Sequence, residues 1–389
     1  MTRVTLGEAF LLNPTVKLAK GTNSPFVEMA SLAPFTRDVA ATQEKPYGGG
    51  MKFCDGDVLM ARITPSLENG KTSIYRAAPN RRGVPAFGST EFIVIRGKEG
   101  ISSTDFAYYL FTSKNVRDHA ISSMNGSSGR QRVQHDSLAS LEIDLPELYE
   151  QRAIASTLGV LDDKIESNRR TISLIDELVR ARFDANFDLT QVSNGVSIAE
   201  LVTVNRKLKL SRGTVSTYIG MSSLPEFSPS VLDWEKREFG SGQKFMNGDV
   251  LMARITPCLE NGKTAIVDML QEGEVGWGST EYVVLSPKES ISTPWIYALV
   301  RHPDLREWAV RRMSGTSGRQ RFPADSFADY IISEPDSALL DEFNMFALPL
   351  FERIAQLRDE IKKLICVRDA LLPEVLSGRI RIPTEGAET

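Results

Sequence analysis

The sequence predicts an α+β protein: two tandem modules of mixed α/β structure, separated by two long helices that pair as an antiparallel coiled coil. Three observations predict it. Residues 56–72 return as residues 248–264, with only Ser66 against Cys258 different. The likeness extends at a constant offset of 192 through Asn13/Asn205, Gly21/Gly213, Met29/Met221 and Lys52-Phe53/Lys244-Phe245. Each copy is followed by a stretch with apolar residues at alternating steps of four and three, the signature of a helix with one buried seam. A match this long is a duplication, so the chain's work requires two like modules.

Within a copy the periods are mixed. Val58, Met60, Arg62 and Thr64 alternate with Leu59, Ala61 and Ile63, which predicts a strand. Phe92-Ile93-Val94-Ile95 and Tyr282-Val283-Val284-Leu285 predict two more. Residues 106–124 and 295–313 read as helix, the second breaking at Pro303 and restarting with Asp304 as its cap. Gly88-Ser89-Thr90-Glu91 returns as Gly278-Ser279-Thr280-Glu281, and Ser128-Gly129-Arg130-Gln131-Arg132 as Ser317-Gly318-Arg319-Gln320-Arg321. The offset shortens by two residues and then by one more, so the deletions between matched blocks mark loops.

The first long helix is expected from Pro146 to about Phe187, with the seam Leu161, Ile165, Asn168, Ile172, Ile175 and Val179, Asn168 being its one polar slot. About 40 helical residues would span about 60 Å. The second carries Leu350, Ile354, Leu357, Ile361, Leu364, Arg368 and Leu371. Pro349 marks its expected start, Pro373 a break, and Ser377-Gly378 its end. Neither seam stays in water alone, and the simplest burial is one against the other.

The bulk numbers exclude several classes. At 389 residues and 41% apolar content the chain holds two or three domains with ordinary cores. No apolar run is long enough for a membrane span and no signal-peptide pattern opens the chain, which predicts a cytoplasmic protein. Cys54, Cys258 and Cys366 lack metal-ligand spacing and read as reduced buried or half-buried thiols; His119, His135 and His302 are scattered. Net charge is −4, but its distribution is uneven: residues 1–140 carry +5, 141–190 −5, 191–330 zero and 331–389 −4. Positive modules and negative connectors suit modules that touch a polyanion and connectors that touch protein.

Gly70-Lys71-Thr72 does not make a nucleotide loop. The glycine needed five residues before the Gly-Lys pair is Pro65, and Pro257 in the second copy. Asp57, Glu68 and Lys71 suggest a metal-dependent nuclease, except that Glu68 lies three residues before the lysine, across an Asn69-Gly70 turn. The Arg-Gln-Arg loop says more. Arginine pairs bidentately with phosphate or guanine, and glutamine with adenine. The candidate DNA-binding set is therefore Arg130, Gln131 and Arg132 with Arg62, Thr64, Asn69 and Lys71, and their counterparts Arg319, Gln320, Arg321, Arg254, Thr256, Asn261 and Lys263. Arg62 serves equally well in a structural salt bridge.

The alternation of modules and long helices resembles the specificity subunit of Type I restriction–modification systems. Three motifs carry the resemblance: the block Gly-Asp-Val-Leu-Met-Ala-Arg, Leu145-Pro146 followed by Glu150-Gln151-Arg152-Ala153-Ile154-Ala155, and Leu371-Leu372-Pro373-Glu374 near the end of the second helix. It covers nearly the whole chain, although Glu334-Pro335 lacks the Glu-Gln-Arg signature. The resemblance implies that residues 1–140 and 191–330 are target recognition domains, each reading half of a bipartite, gapped site in double-stranded DNA. Residues 141–190 form the central spacer helix, and 331–389 the distal spacer helix and tail. The helices would set the gap and dock two methyltransferase subunits; restriction–translocase subunits join the complex. S-adenosylmethionine, ATP and Mg are used by those partners, and none of these cofactors is implied for this chain, which is expected to be non-catalytic and to bind no metal or membrane. Half-sites about one duplex turn apart, about 34 Å, would lie on one side of the DNA. The two rival readings are a metal-dependent nuclease with tandem sites and a helical scaffold that does not bind DNA.

Overall fold

The computed structural model describes residues 1–127, 129–316 and 318–383. By their contacts these residues form two units, one comprising residues 1–164 with the chain from Leu364 onward, the other Ile165–Lys363. No helix among the described residues is long and apolar enough to cross a membrane.

In the first unit a five-stranded sheet runs in the order Phe10–Leu12, Phe92–Gly97, Val58–Ala61, Thr72–Tyr75, Asp38–Val39. A four-stranded sheet runs Gln43–Pro46, Asn23–Val27, Ala86–Gly88, Met51–Phe53. The repeated strand Val58–Ala61 is buried along its whole length because it lies between two cores. Val58 and Met60 enter the cluster that holds Phe106, Phe111 and Leu158; Leu59 enters the cluster that holds Val27, Phe53 and Phe92. The period of two thus separates two apolar faces, not an apolar from a wet one. The strand also ends at Ala61, so Arg62 and Thr64 leave the sheet and begin a loop.

The second unit repeats the plan. One four-stranded sheet is Thr203–Val204, Tyr282–Ser286, Val250–Ala253, Thr264–Ile266; the other is Glu235–Glu238, Val215–Ile219, Gly276–Gly278, Gln243–Phe245. The matched Asn13 and Asn205 have a structural reason to recur. Both adopt positive φ, 56° and 49°, and their Oδ1 atoms accept the N–H groups of Val94 and Val284 at 2.9 Å. A short polar side chain that visits the left-handed region and bonds locally is what that corner needs.

The expected helix over 106–124 is two helices, Thr104–Thr112 and Lys114–Ser122, broken at Ser113, whose hydroxyl donates to the Leu110 carbonyl at 2.6 Å. The second copy breaks at the equivalent place into Thr293–Arg301 and Pro303–Arg311. There the cap is His302, whose Nδ1 accepts the Asp304 N–H at 3.2 Å, and Pro303 is the first helical residue; Asp304 is not the cap.

The first long helix, Leu148–Asn186, lies where the sequence places it. The second is Ser337–Leu376 and begins well before Pro349. Its start is set by Asp336, whose carboxylate accepts the Ala338 and Leu339 N–H groups at 2.8 and 3.1 Å. Pro349 and Pro373 sit inside the helix without ending it. Each is exposed, as are Met345 and Asp369 one turn earlier, so the carbonyls they leave unbonded face solvent. Gly378, at φ 69°, closes the end as expected.

Within each unit the two helices touch. Asp162 meets Arg368 in the first unit, and Phe183 meets Phe343 in the second. Ile165, Asn168, Ile172, Ile175, Val179, Ile354, Leu357 and Ile361 are buried, whereas Leu161, Leu350, Leu364 and Leu371 are only half-buried. Beside the seam, Gln151, Asp162 and Asp176 are buried as well. Asp162 accepts Tyr109 Oη at 2.7 Å and Arg368 Nη1 at 2.7 Å. Gln151, from the Glu-Gln-Arg signature, accepts the Ser103 N–H and donates to the Ile101 and Pro146 carbonyls, fastening the helix start to the module. Cys54 and Cys258 are half-buried, but Cys366 is exposed.

Candidate nucleic-acid interface

Two backbone ties hold the Arg-Gln-Arg loop against the end of the repeated strand. Thr64 N–H donates to the Gln131 carbonyl at 3.0 Å, and Val133 N–H to the Arg62 carbonyl at 2.8 Å. Asn125 and Arg132 exchange a pair of backbone hydrogen bonds at the loop's base, and Arg130 N–H closes a turn onto the Ser127 carbonyl at 2.9 Å. The second copy repeats all of this: Thr256 to Gln320, Phe322 to Arg254, Ser314 with Arg321, and Arg319 to Thr316. Ser128 and Ser317, the first residues of the motif, lie outside the described residues.

Within this frame the candidate residues divide. Arg132 is held by Glu91: its Nε lies 3.0 and 2.9 Å from the two carboxylate oxygens, and its Nη2 is 2.7 Å from one of them. Arg321 and Glu281 reproduce the pair at 2.9, 2.9 and 2.7 Å. The hydrogen bond from Arg132 holds the Glu91 carboxyl below its usual range against the opposing effect of burial. Arg62 lies 3.9 Å from the same Glu91 carboxylate, so the salt-bridge alternative applies to it in part. Arg254 is half-buried. Lys71 donates to the Met29 carbonyl at 3.0 Å, and Lys263 to the Met221 carbonyl at 3.0 Å. These two lysines brace their modules, and the matched methionines supply the acceptors.

Thr64 Oγ1 contacts Met124 Sδ at 3.3 Å, and Thr256 is half-buried. Asn69 and Asn261 are exposed at the turn tips, Asn261 donating to Glu226 at 3.2 Å. Gln131 and Gln320 are half-buried, with their carbonyls engaged and no side-chain hydrogen bond among the described residues. Arg130 and Arg319 are exposed at the loop tips, and neither is ion-paired among the described residues. What the fold presents in duplicate is therefore one unneutralised arginine and one amide side chain on a pinned loop. Sequence reasoning matched the Ser-Thr-Glu blocks without giving Glu91 and Glu281 a role; their recurrence beside two recurring arginines was the available signal.

The nuclease reading requires Asp57 to face a metal. Instead its carboxylate is buried and accepts Arg96 Nε and Nη2, each at 2.6 Å, and the Cys54 N–H at 2.7 Å. Asp249 is likewise taken by Arg206 and the Met246 N–H at 2.8 and 2.7 Å.

The fold and this duplicated loop define a chain of two like modules, each carrying its own cationic loop, joined through two long helices. Residues 6–177 match the family described as the Type I restriction modification DNA specificity domain. Over 88% of its length the chain is 21% identical to the Type I restriction enzyme HindI specificity subunit of Haemophilus influenzae, covering 90% of that protein. It is 24% identical to the MjaIX specificity subunit of Methanocaldococcus jannaschii, covering 73% of this chain and 71% of that one. The Escherichia coli EcoEI specificity subunit is 26% identical over 195 residues, which span 49% of this chain and only 32% of that protein. The solved S subunit of a Type I restriction–modification system from M. genitalium aligns over 96% of this chain and 95% of its own, with 16% identity and a TM-score of 0.48. The chain is thus similar, over residues 6–177 and more weakly over most of its length, to Type I restriction–modification specificity subunits.

Proposed function

We propose that the chain is the sequence-reading, non-catalytic component of a Type I restriction–modification complex. Each module reads one half of a bipartite, gapped site in double-stranded DNA, and the helices dock two methyltransferase subunits, with restriction–translocase subunits joining them. S-adenosylmethionine, ATP and Mg then serve the partners. The domain partition of residues 1–140, 141–190, 191–330 and 331–389 is part of this reading.

The observation that carries it is the duplicated loop. A pinned arginine–glutamate pair fixes the loop's base, and a free arginine stands at its tip beside a half-buried glutamine, in both modules. Phosphate contacts position a protein on DNA and base contacts specify the sequence, and arginine and glutamine are suited to both. Because the loops share their residues, the two half-sites should be related but not identical; divergent segments, residues 36–51 against 228–243, would supply the difference.

The test is base-resolution methylation mapping of the source genome with the gene intact, deleted, and carrying Gln131→Ala. Deletion should abolish adenine methylation at one gapped motif. Gln131→Ala should relax one base pair in one half, a discrimination of about 1–3 kcal/mol. An unchanged methylome in the deletion strain, with partner subunits expressed, would refute the reading.

A further inference from the structure

The smaller sheet of each module carries a second duplicated constellation, on residues the loop does not include. In the first module Phe26 and Phe87 pack at 5.1 Å between ring centroids, and Tyr47 and Phe87 at 5.2 Å. Lys45 Nζ sits 4.2 Å from the Phe26 ring and Lys52 Nζ 4.8 Å from the Tyr47 ring. In the second module Tyr218 and Trp277 pack at 4.4 Å, and Phe239 and Trp277 at 5.4 Å. Arg237 lies over Tyr218 at 4.9 Å, and Lys244 over Phe239 at 4.9 Å.

Strand register puts these groups on one face. Lys52 stands opposite Phe87, as Lys244 stands opposite Trp277. Phe26 pairs with Phe87, as Tyr218 pairs with Trp277. Lys45 and Arg237 lie two residues from the positions opposite Phe26 and Tyr218, and a period of two returns them to the same side. Across the duplication Phe26 has become Tyr218, Phe87 Trp277, Tyr47 Phe239 and Lys45 Arg237, while Lys52 and Lys244 are the same. Four of the five positions changed residue and none changed class. A core-filling role would hold ring volume, but it would not hold the two cations.

The cations are also placed so that their charge survives. Among the described residues Lys45, Lys52 and Lys244 form no ion pair; Lys244 donates to the Leu208 carbonyl, and Arg237 has Glu235 only at 3.9 Å. This contrasts with Arg132 and Arg321, which glutamates neutralise. A ring face holds a cation by its quadrupole without cancelling its charge. Lys45 and Arg237 are exposed, and Lys52 and Lys244 half-buried. Two oriented cations on one strand-built face, unpaired in the first module and only partly offset by exposed Glu235 in the second, complement a row of phosphates.

We propose that this face of the smaller sheet is a phosphate-backbone contact for DNA in each module, with Lys45 and Lys52 in the first and Arg237 and Lys244 in the second as the contacting groups. It rests on the reading that the modules bind DNA, and adds a positioning surface distinct from the sequence-reading loop. Each neutralised phosphate contributes about 0.9 to the slope of log affinity against log salt.

The test uses the full chain assembled with its methyltransferase subunits, and two duplexes of equal length, one carrying the mapped motif and one without it. Lys45→Gln with Lys52→Gln, and separately Arg237→Gln with Lys244→Gln, should each make the salt slope shallower by about 2 on both duplexes, with the methylated motif unchanged. Lys45→Arg with Lys52→Arg should restore the wild-type slope. An unchanged slope at wild-type melting temperature overturns the proposal. So does lowered stability with an unchanged slope, which would make the cations braces for the sheet. Lost subunit assembly with an unchanged slope would overturn it in favour of a protein contact. A wild-type complex that binds neither duplex would overturn the DNA-binding reading and this proposal together.

Discussion

Replacing Arg368 by methionine should be among the most damaging single changes in the first unit. The Arg368 side chain is 12% exposed and its partner Asp162 5%, with 2.7 Å between them. Methionine keeps much of the stem volume but removes the charge. Among the described residues Asp162 is then a buried carboxylate left with the Tyr109 hydroxyl at 2.7 Å for compensation. Removing one partner from a buried pair costs about 3–5 kcal/mol. The residual exposure of the arginine admits some water, so about 2–4 kcal/mol is expected. The contact to Asp369 adds little, because that carboxylate is 58% exposed and returns to solvent. Asp162→Asn in the same background should recover about half of the loss, since an amide keeps the tyrosine hydrogen bond without the stranded charge. The assay is amide hydrogen exchange on the full chain, comparing helix Thr104–Thr112, which carries Tyr109, with helix Thr293–Arg301. Protection should fall in the first and hold in the second. A loss below about 1 kcal/mol, or no recovery in the double variant, would refute the argument that the ion pair acts through burial.

Two other expectations follow from particular contacts. Burial pushes the Glu274 carboxyl up, but Lys236, the Thr217 hydroxyl and N–H, and the Gln271 N–H outweigh it and bring it down to about 2. A carboxyl lowered by folding contributes stability above its unfolded value, here 4.5, and that contribution disappears as pH falls toward about 2. Glu274→Gln should therefore cost the second unit about 1–2 kcal/mol at pH 6, allowing for the half-exposed Lys236, and the gap to wild type should narrow by pH 3; parallel urea curves at both pH values would contradict this. Gly70 and Gly56 both have positive φ, 73° and 89°, but a Cβ on Gly70 would lie 2.5 Å from the Phe35 ring while one on Gly56 meets nothing within 4 Å. Gly56→Ala should cost only the backbone term of about 1–2 kcal/mol and Gly70→Ala measurably more, read as melting temperatures; equal losses would mean the ring moves aside freely.

The duplication made the modules legible, because a repeat reports on architecture without any knowledge of contacts. Helix breaks were legible only where proline marked them. Pro303 announced the break in the second copy, whereas Ser113, which breaks the first at the equivalent point, looks like any helical serine. Pro349 misled in the opposite direction. It marks an expected start, but on an exposed face a proline costs the helix one solvent-facing carbonyl, and Asp336 caps the helix before it. The candidate loop was legible as a motif, but the state of its charges was not. Arg132 is neutralised by a glutamate 41 residues away, and Lys71 is bound by a carbonyl 42 residues away. Such pairings depend on which strands lie side by side, which local spacing does not encode. The aromatic–cation face escaped for the same reason: its members come from four strands and the residue that follows one of them.

The division of contacts through both long helices has a consequence for how the chain is made. The second unit is one uninterrupted stretch, Ile165–Lys363, while the first needs its N-terminal module and the helix beyond Leu364. Val375 lies in the same core as Leu158 and Phe111, and Arg368 supplies the partner of Asp162. On a ribosome the module that emerges first therefore waits longest for its full set of contacts, and the one that emerges second completes earlier. Premature termination after Lys363 would spare the module nearest the break and strip the distant N-terminal one of the helix that finishes its core.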